Sequence, residues 1–193
     1  MTKDEFRREA RRRMRDLLPS QRAAAETEIA RLVWTVPEVA AARTLLLYAH
    51  LPDEVSTDAI ALEALTRGVH VVFPRVLPDS RALDLHTVAE PSSLRIGAYG
   101  IREPDPERCA RVPVAAVDAV LVPGLAWDRR GARLGRGAGY YDRLFALPEW
   151  RGFRSGVFYG AQEFPALPTD PWDVPLQAVV TEGGVVAGIC SAF

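Results

Sequence analysis

Val117 to Phe145 reads VDAVLVPGLAWDRRGARLGRGAGYYDRLF, and this stretch decides the fold. Its apolar run Ala119-Val120-Leu121-Val122 stops at Pro123-Gly124. A short, β-branched run bounded by a turn signal predicts a buried parallel strand. Glycines at 131, 135, 137 and 139 then predict a loop, and Tyr140-Tyr141-Asp142-Arg143-Leu144-Phe145 suits the first turns of a helix. Strand, glycine-rich loop and helix together offer backbone N–H groups and a positive helix end to an anion. Arg129, Arg130, Arg133 and Arg136 add guanidinium forks that match phosphate oxygens. The competing reading is a flexible loop with scattered surface arginines. The string has neither the Gly-Lys-Ser/Thr ending of a P-loop nor the glycine spacing of a dinucleotide fingerprint.

Outward from this stretch, strands alternate with helices, as in a single three-layer α/β/α domain around a mostly parallel, Rossmann-like sheet. Thr2 caps a helix to Leu18, with Glu5 completing a capping box and Phe6, Ala10, Met14, Leu17 and Leu18 forming its apolar stripe. Pro19-Ser20 ends that helix and caps a second over 21–34, and both are expected to lie on the sheet. Thr44 to Ala49 reads as the first core strand. Ser56 or Thr57 caps a helix that runs through Thr66 and stops at Gly68. Strands are expected over 69–73, 82–87, 153–159 and 176–180, with turn-rich chain from Pro91 to Pro113. No repeat or linker divides residues 1–193.

Composition narrows the function. The 193 residues carry a formal net charge of −1 and are 48% hydrophobic. A general nucleic-acid binder would be strongly basic. No segment approaches a membrane span, and no apolar run follows the charged start. Cys109 and Cys190 form no metal-ligand pattern, so a reducing, cytoplasmic setting is expected. His50, His70 and His86 stand apart beside apolar runs and read as structural or incidental rather than as metal ligands. Lys3 is the sole lysine in an arginine-rich chain, and it lies one helical turn from Arg7 on the same face.

Pro123-Gly124, Trp127-Asp128 and Arg133 through Asp142 resemble, almost residue for residue, the signature of the 5-formyltetrahydrofolate cyclo-ligase (methenyltetrahydrofolate synthetase) family. Trp127 stands where Phe is usual. The resemblance extends from the Lys3/Arg7 pair through Glu54-Val55-Ser56-Thr57, Gly100-Ile101-Arg102-Glu103-Pro104 and Gln162-Glu163-Phe164 to Thr181. It implies ATP- and Mg²⁺-dependent cyclisation of 5-formyltetrahydrofolate to 5,10-methenyltetrahydrofolate, with release of ADP and phosphate. It also implies roles. Lys3, Arg7, Arg133, Leu134, Gly135, Arg136, Gly137, Ala138, Gly139, Tyr140 and Tyr141 would hold ATP. Ala49, Glu54, Arg136, Gly137, Ala138, Gly139 and Tyr140 would hold the folate. Arg133, Arg136, Tyr140 and Tyr141 would serve catalysis, and Asp142 and Asp173 the metal. The Gly100–Pro104 element would wall the cleft. The family's His-Asp pair aligns with Trp172-Asp173, so the histidine is absent here. A further family Asp aligns with Gln177, and Ala138 stands where some members carry Lys. The expected partners are the two substrates, with no nucleic acid or membrane and with the protein a monomer.

Two other readings compete. A non-catalytic nucleotide- or folate-binding module would keep the fold, and a sugar-phosphate isomerase-like or CoA-transferase-like protein would not need ATP.

Overall fold

The structure is a computed structural model that describes residues 1–188, so Cys190 lies outside the described residues. The chain opens with α1 (Lys3–Asp16) and α2 (Pro19–Leu32), followed by α3 (Pro37–Ala40) and β1 (Thr44–Leu46). Then come α4 (Asp58–Thr66), β2 (His70–Leu77), β3 (Ala82–Thr87), β4 (Arg95–Ile96) and β5 (Arg102–Glu103). β6 (Ala119–Val122) is followed by β7 (Ala126–Trp127), β8 (Arg133–Leu134) and α5 (Tyr140–Phe145). The chain continues with β9 (Phe153–Val157), β10 (Ala178–Thr181) and β11 (Gly184–Ala187).

Seven strands form one sheet in the order β11-β10-β9-β6-β1-β2-β3. The five central strands are parallel, and β3 and β11 pair antiparallel at the two edges. Taken along the chain, the parallel core has the doubly wound order 2-1-3-4-5. Its switch point lies between β1 and β6, where connections leave toward opposite faces. β6 is buried along its whole length, as its apolar run predicts.

The period of two sorts the strand residues. Leu45, Val71, Leu121, Ala178 and Val180 face one side, packed with Met14, Ile29, Val39, Ile60 and Ala64 of α1–α4. Leu46, Val72, Val120, Val122 and Val179 face the other, against Leu144 and Phe145 of α5 and the neighbouring Trp150. This second layer is thin: among the described residues its one α-helix has six residues. It therefore leaves the carboxyl ends of β1 and β6 open on that side.

Several boundaries differ from the sequence expectation for identifiable reasons. The α1 capping box of Thr2 and Glu5 is present. At α2, Pro19 and Ser20 are instead inside the helix: Leu18 is the N-cap, and its N–H donates to Gln21 Oε1 at 2.9 Å. Proline at the first helical position lacks only an N–H that would have no partner. Neither candidate cap of α4 is simple. Thr57 occupies the N-cap position, but its Oγ1 donates to the Tyr48 carbonyl at 2.5 Å, while Ser56 Oγ accepts from Asp58 N at 3.3 Å. β2 runs on through Pro74 to Leu77, because the antiparallel register with β3 continues after pairing with β1 has ended. The final strand is displaced to Ala178–Thr181, and β11 folds back on it through Glu182-Gly183.

Candidate active site

A cleft of about 690 Å³ opens at the carboxyl ends of β1 and β6. Every residue singled out from the sequence as a ligand or metal contact lines it, from Lys3 and Arg7 through Ala49, Glu54 and the 133–142 run to Asp173.

The β6–α5 connection is more ordered than a plain loop. β7 and β8 form a two-stranded antiparallel ribbon before the chain reaches Gly135. Asp128, fully buried, anchors the turn by accepting from Arg130 N at 2.9 Å, Ala132 N at 3.2 Å and Leu167 N at 2.9 Å. Arg130 Nη2 meets the same carboxylate at 2.7 Å. The Trp127-Asp128 pair is thus a folding device. Asp128→Ala should destabilise the protein by about 2–3 kcal/mol, since two buried N–H groups and one part-buried N–H lose their acceptor. At about 2–4 °C per kcal/mol for a chain this size, a melting curve should fall by roughly 4–12 °C. A shift under about 1 °C would show that the carboxylate is dispensable.

Gly137 (φ +111°) and Gly139 (φ +71°) take left-handed backbone conformations, and Gly139 is the N-cap of α5. A Cβ is strained at both. Gly135 is different: a Cβ there would meet nothing within 4 Å. Gln162, also buried, supports the loop by donating to the carbonyls of Gly124 at 2.9 Å and Leu125 at 3.1 Å.

The cations and carboxylates of the cleft are interlocked. Lys3 Nζ bridges Asp170 at 2.7 Å and Asp173 at 2.6 Å. Arg7 Nε donates to the Gly135 carbonyl at 3.0 Å, so α1 is clamped onto the glycine loop. Arg133 Nη2 meets Asp142 Oδ1 at 2.6 Å, and that oxygen also accepts from Val174 N at 3.2 Å. Arg136 Nε meets the buried Glu54 at 3.1 Å, and its Nη2 pairs with Asp53. Burial opposes charge on Arg136, but Glu54 and Asp53 outweigh it and raise its pKa. Burial opposes charge on Lys3 too, and its bonds to Asp170 and Asp173 prevail.

The cleft tyrosines remain phenols. Burial, then the negative charge of Glu54, pushes Tyr141 and Tyr48 up. Tyr140 is pushed up to about 12 by burial and its 3.2 Å hydrogen bond to Tyr99. They can donate hydrogen bonds at neutral pH but are not proton acceptors there. Within the Gly100–Pro104 element, Ile101 lines the cleft, and buried Glu103 ties the segment to β2 by accepting from Val76 N at 3.1 Å.

The cleft residues not assigned to the site from sequence include four polar or aromatic side chains, Arg81, Arg143, Asp170 and Trp172. Asp170 and Trp172 come from a proline-rich loop over 165–175, whose turn is closed by Asp173 N donating to the Asp170 carbonyl at 3.0 Å. Gln177 lies outside the cleft lining, and its side-chain oxygen accepts from Arg154 N at 3.1 Å. Among the described residues no three His, Cys, Asp or Glu side chains gather as a metal cage, and no helix is long and apolar enough to cross a membrane.

A doubly wound sheet with a cationic, glycine-lined cleft at its switch point defines an α/β protein suited to phosphate-bearing ligands. The family model for the 5-formyltetrahydrofolate cyclo-ligase family matches residues 1–182. The 5-formyltetrahydrofolate cyclo-ligase of Escherichia coli K12 is 31% identical over 91% of this chain and 97% of its own. That of Haemophilus influenzae is 29% identical over 90% and 94%. The solution structure of Aquifex aeolicus 5,10-methenyltetrahydrofolate synthetase superposes with a TM-score of 0.82 and 32% identity, covering 100% of this chain and 95% of that one. The chain belongs to the 5-formyltetrahydrofolate cyclo-ligase family.

Proposed function

We propose that this cleft closes 5-formyltetrahydrofolate to 5,10-methenyltetrahydrofolate at the expense of ATP, with Mg²⁺, releasing ADP and phosphate. One observation carries the reading: Lys3, Glu54, Arg136, Asp142 and Asp173, spread over most of the chain, converge on one cleft.

A formamide oxygen is a poor leaving group. In the proposed course it attacks the γ-phosphorus of ATP, ADP departs, and the oxygen becomes a phosphate ester. N10 then attacks the formyl carbon, the five-membered ring closes, and N10 loses its proton as phosphate leaves. The protein's work is alignment and charge neutralisation. Lys3, Arg7, Arg133 and Arg136 neutralise phosphate oxygens, while Leu134 and the backbone of Gly135, Gly137, Ala138 and Gly139 shape the loop around them. Glu54 accepts from N–H groups of the folate beside Ala49. Tyr140 and Tyr141 donate from their phenols toward the formyl group.

The donor set fits Mg²⁺. Asp142 and Asp173 stand on one wall, bracketing Val174 through the Asp142–Val174 N bond. Two carboxylates without a third protein ligand suit a metal that takes its remaining ligands from phosphates and water. Bound there, Mg²⁺ would supply countercharge to the phosphates. The protein is proposed to act as a monomer in the cytoplasm.

The test is the absorbance of the methenyl product, with ATP and Mg²⁺ added separately and together. Product is expected only with both. Folate turnover without ATP would point to another reaction, and ligand binding without turnover to a non-catalytic module.

A further inference from the structure

We propose that Arg81 and Arg143 form a carboxylate-binding subsite at the mouth of this cleft, which takes the glutamyl tail of the folate. The inference rests on the cyclo-ligase reading and adds a specificity determinant to it.

The charge inventory of the cleft singles these two residues out. Its other cations each have a carboxylate: Lys3 has Asp170 and Asp173, Arg7 has Asp4, Arg133 has Asp142, and Arg136 has Asp53 and Glu54. Arg81 and Arg143 also line the cleft, and among the described residues no carboxylate pairs with either. Both are exposed. They come from different elements. Arg81 sits in the β2–β3 turn, held at φ +52°, a left-handed conformation that a non-glycine residue adopts at a cost. Arg143 belongs to α5, where its Nη1 donates to the Ala138 carbonyl at 2.7 Å; this fixes the guanidinium and leaves its other N–H groups available.

The two charges share one edge of the cleft. Arg143 is carried by α5, and α5 packs against β3, the strand that Arg81 immediately precedes. Both side chains are exposed there, whereas Glu54, the proposed partner of the folate's pterin N–H groups, is buried.

The substrate has matching polarity. Its uncharged bicyclic end carries N–H donors, and its far end is a glutamate with two carboxylates at neutral pH. With the donor end on Glu54, the anionic tail must leave through the open side. Guanidinium forks match carboxylates in shape as well as charge. An exposed pair of this kind contributes modestly, so each arginine should change affinity about two- to fivefold at low salt.

The experiment compares wild type, Arg81→Ala, Arg143→Ala and the double variant on two substrates: 5-formyltetrahydrofolate and 5-formyltetrahydropteroate, which lacks the glutamate. Equilibrium binding without ATP is followed beside steady-state kinetics. Each single variant should weaken tail-bearing folate about two- to fivefold and the double variant about tenfold. The KM for ATP should stay unchanged in Arg81→Ala, which leaves the Arg143–Ala138 bond of the glycine loop in place, and without ATP all variants should bind the tail-less substrate as wild type does. Raising salt should erase the wild-type preference for the tail. Equal losses on both substrates, or none on either, would overturn the subsite. If wild type bound the tail through these arginines but made no product, the proposed reaction would fall and the subsite would stand.

Discussion

Arg136→Ala is expected to lower kcat/KM about 10²–10³-fold, and to do so whether ATP or the folate is the varied substrate. The magnitude is that of losing one preorganised donor at a site of developing charge. The double effect comes from the geometry. Arg136 reaches across the cleft from the glycine loop to Glu54 at 3.1 Å and to Asp53, so in the proposed reaction one guanidinium would serve both the phosphate side and the folate side. Removing it also leaves Glu54, only 8% exposed, as an uncompensated carboxylate. Arg136→Lys should recover part of the loss, because an ammonium restores the charge but not the two-pronged contact. Steady-state kinetics with each substrate varied in turn checks this. A change confined to the ATP parameters would detach Arg136 from the folate, and less than a threefold change in both would make it a bystander.

This pairing also shows where sequence reasoning stops. Local constraints were legible. Gly137 and Gly139 hold positive φ, β6 alternates its side chains between two buried faces, and Thr2 and Glu5 cap a helix within one turn. Each follows from residues a few positions apart, and together they were enough for the sheet and the loop, whereas the candidate contacts came from the family resemblance. What joins distant segments was not legible. Arg136 meets Glu54 across 82 positions and Lys3 meets Asp173 across 170, so which carboxylate neutralises which cation is decided by topology. Arg81 is brought to the cleft by a β hairpin whose first strand continues through Pro74, a residue that read as its end. Asp128 read as a motif member but is an anchor, because its three N–H donors include Leu167, 39 positions away.

Lys3→Ala should lower kcat/KM for ATP about ten- to a hundredfold. If the ammonium meets an ATP phosphate while Arg7 serves a neighbouring oxygen, one charged hydrogen bond of about 1.5–3 kcal/mol is lost. The Lys3 side chain is only 24% exposed and lies between Asp170 and Asp173. Its removal leaves two carboxylates facing each other at the turn that carries Trp172. After allowance for solvent screening, about 0.5–1 kcal/mol of stability should go with it, or roughly 1–4 °C in the melting temperature. The kinetic loss is larger than the stability loss because the same ammonium would hold Asp173 in place and neutralise phosphate. Lys3→Arg should keep most of the stability and only part of the ATP effect, since a planar fork can bridge the carboxylates but sets its charge differently. Melting curves without ATP, and kinetics with ATP varied at saturating folate, separate the two contributions. Wild-type ATP kinetics in Lys3→Ala, with the melting temperature lowered, would make Lys3 a clasp for the Asp170–Asp173 turn and nothing more.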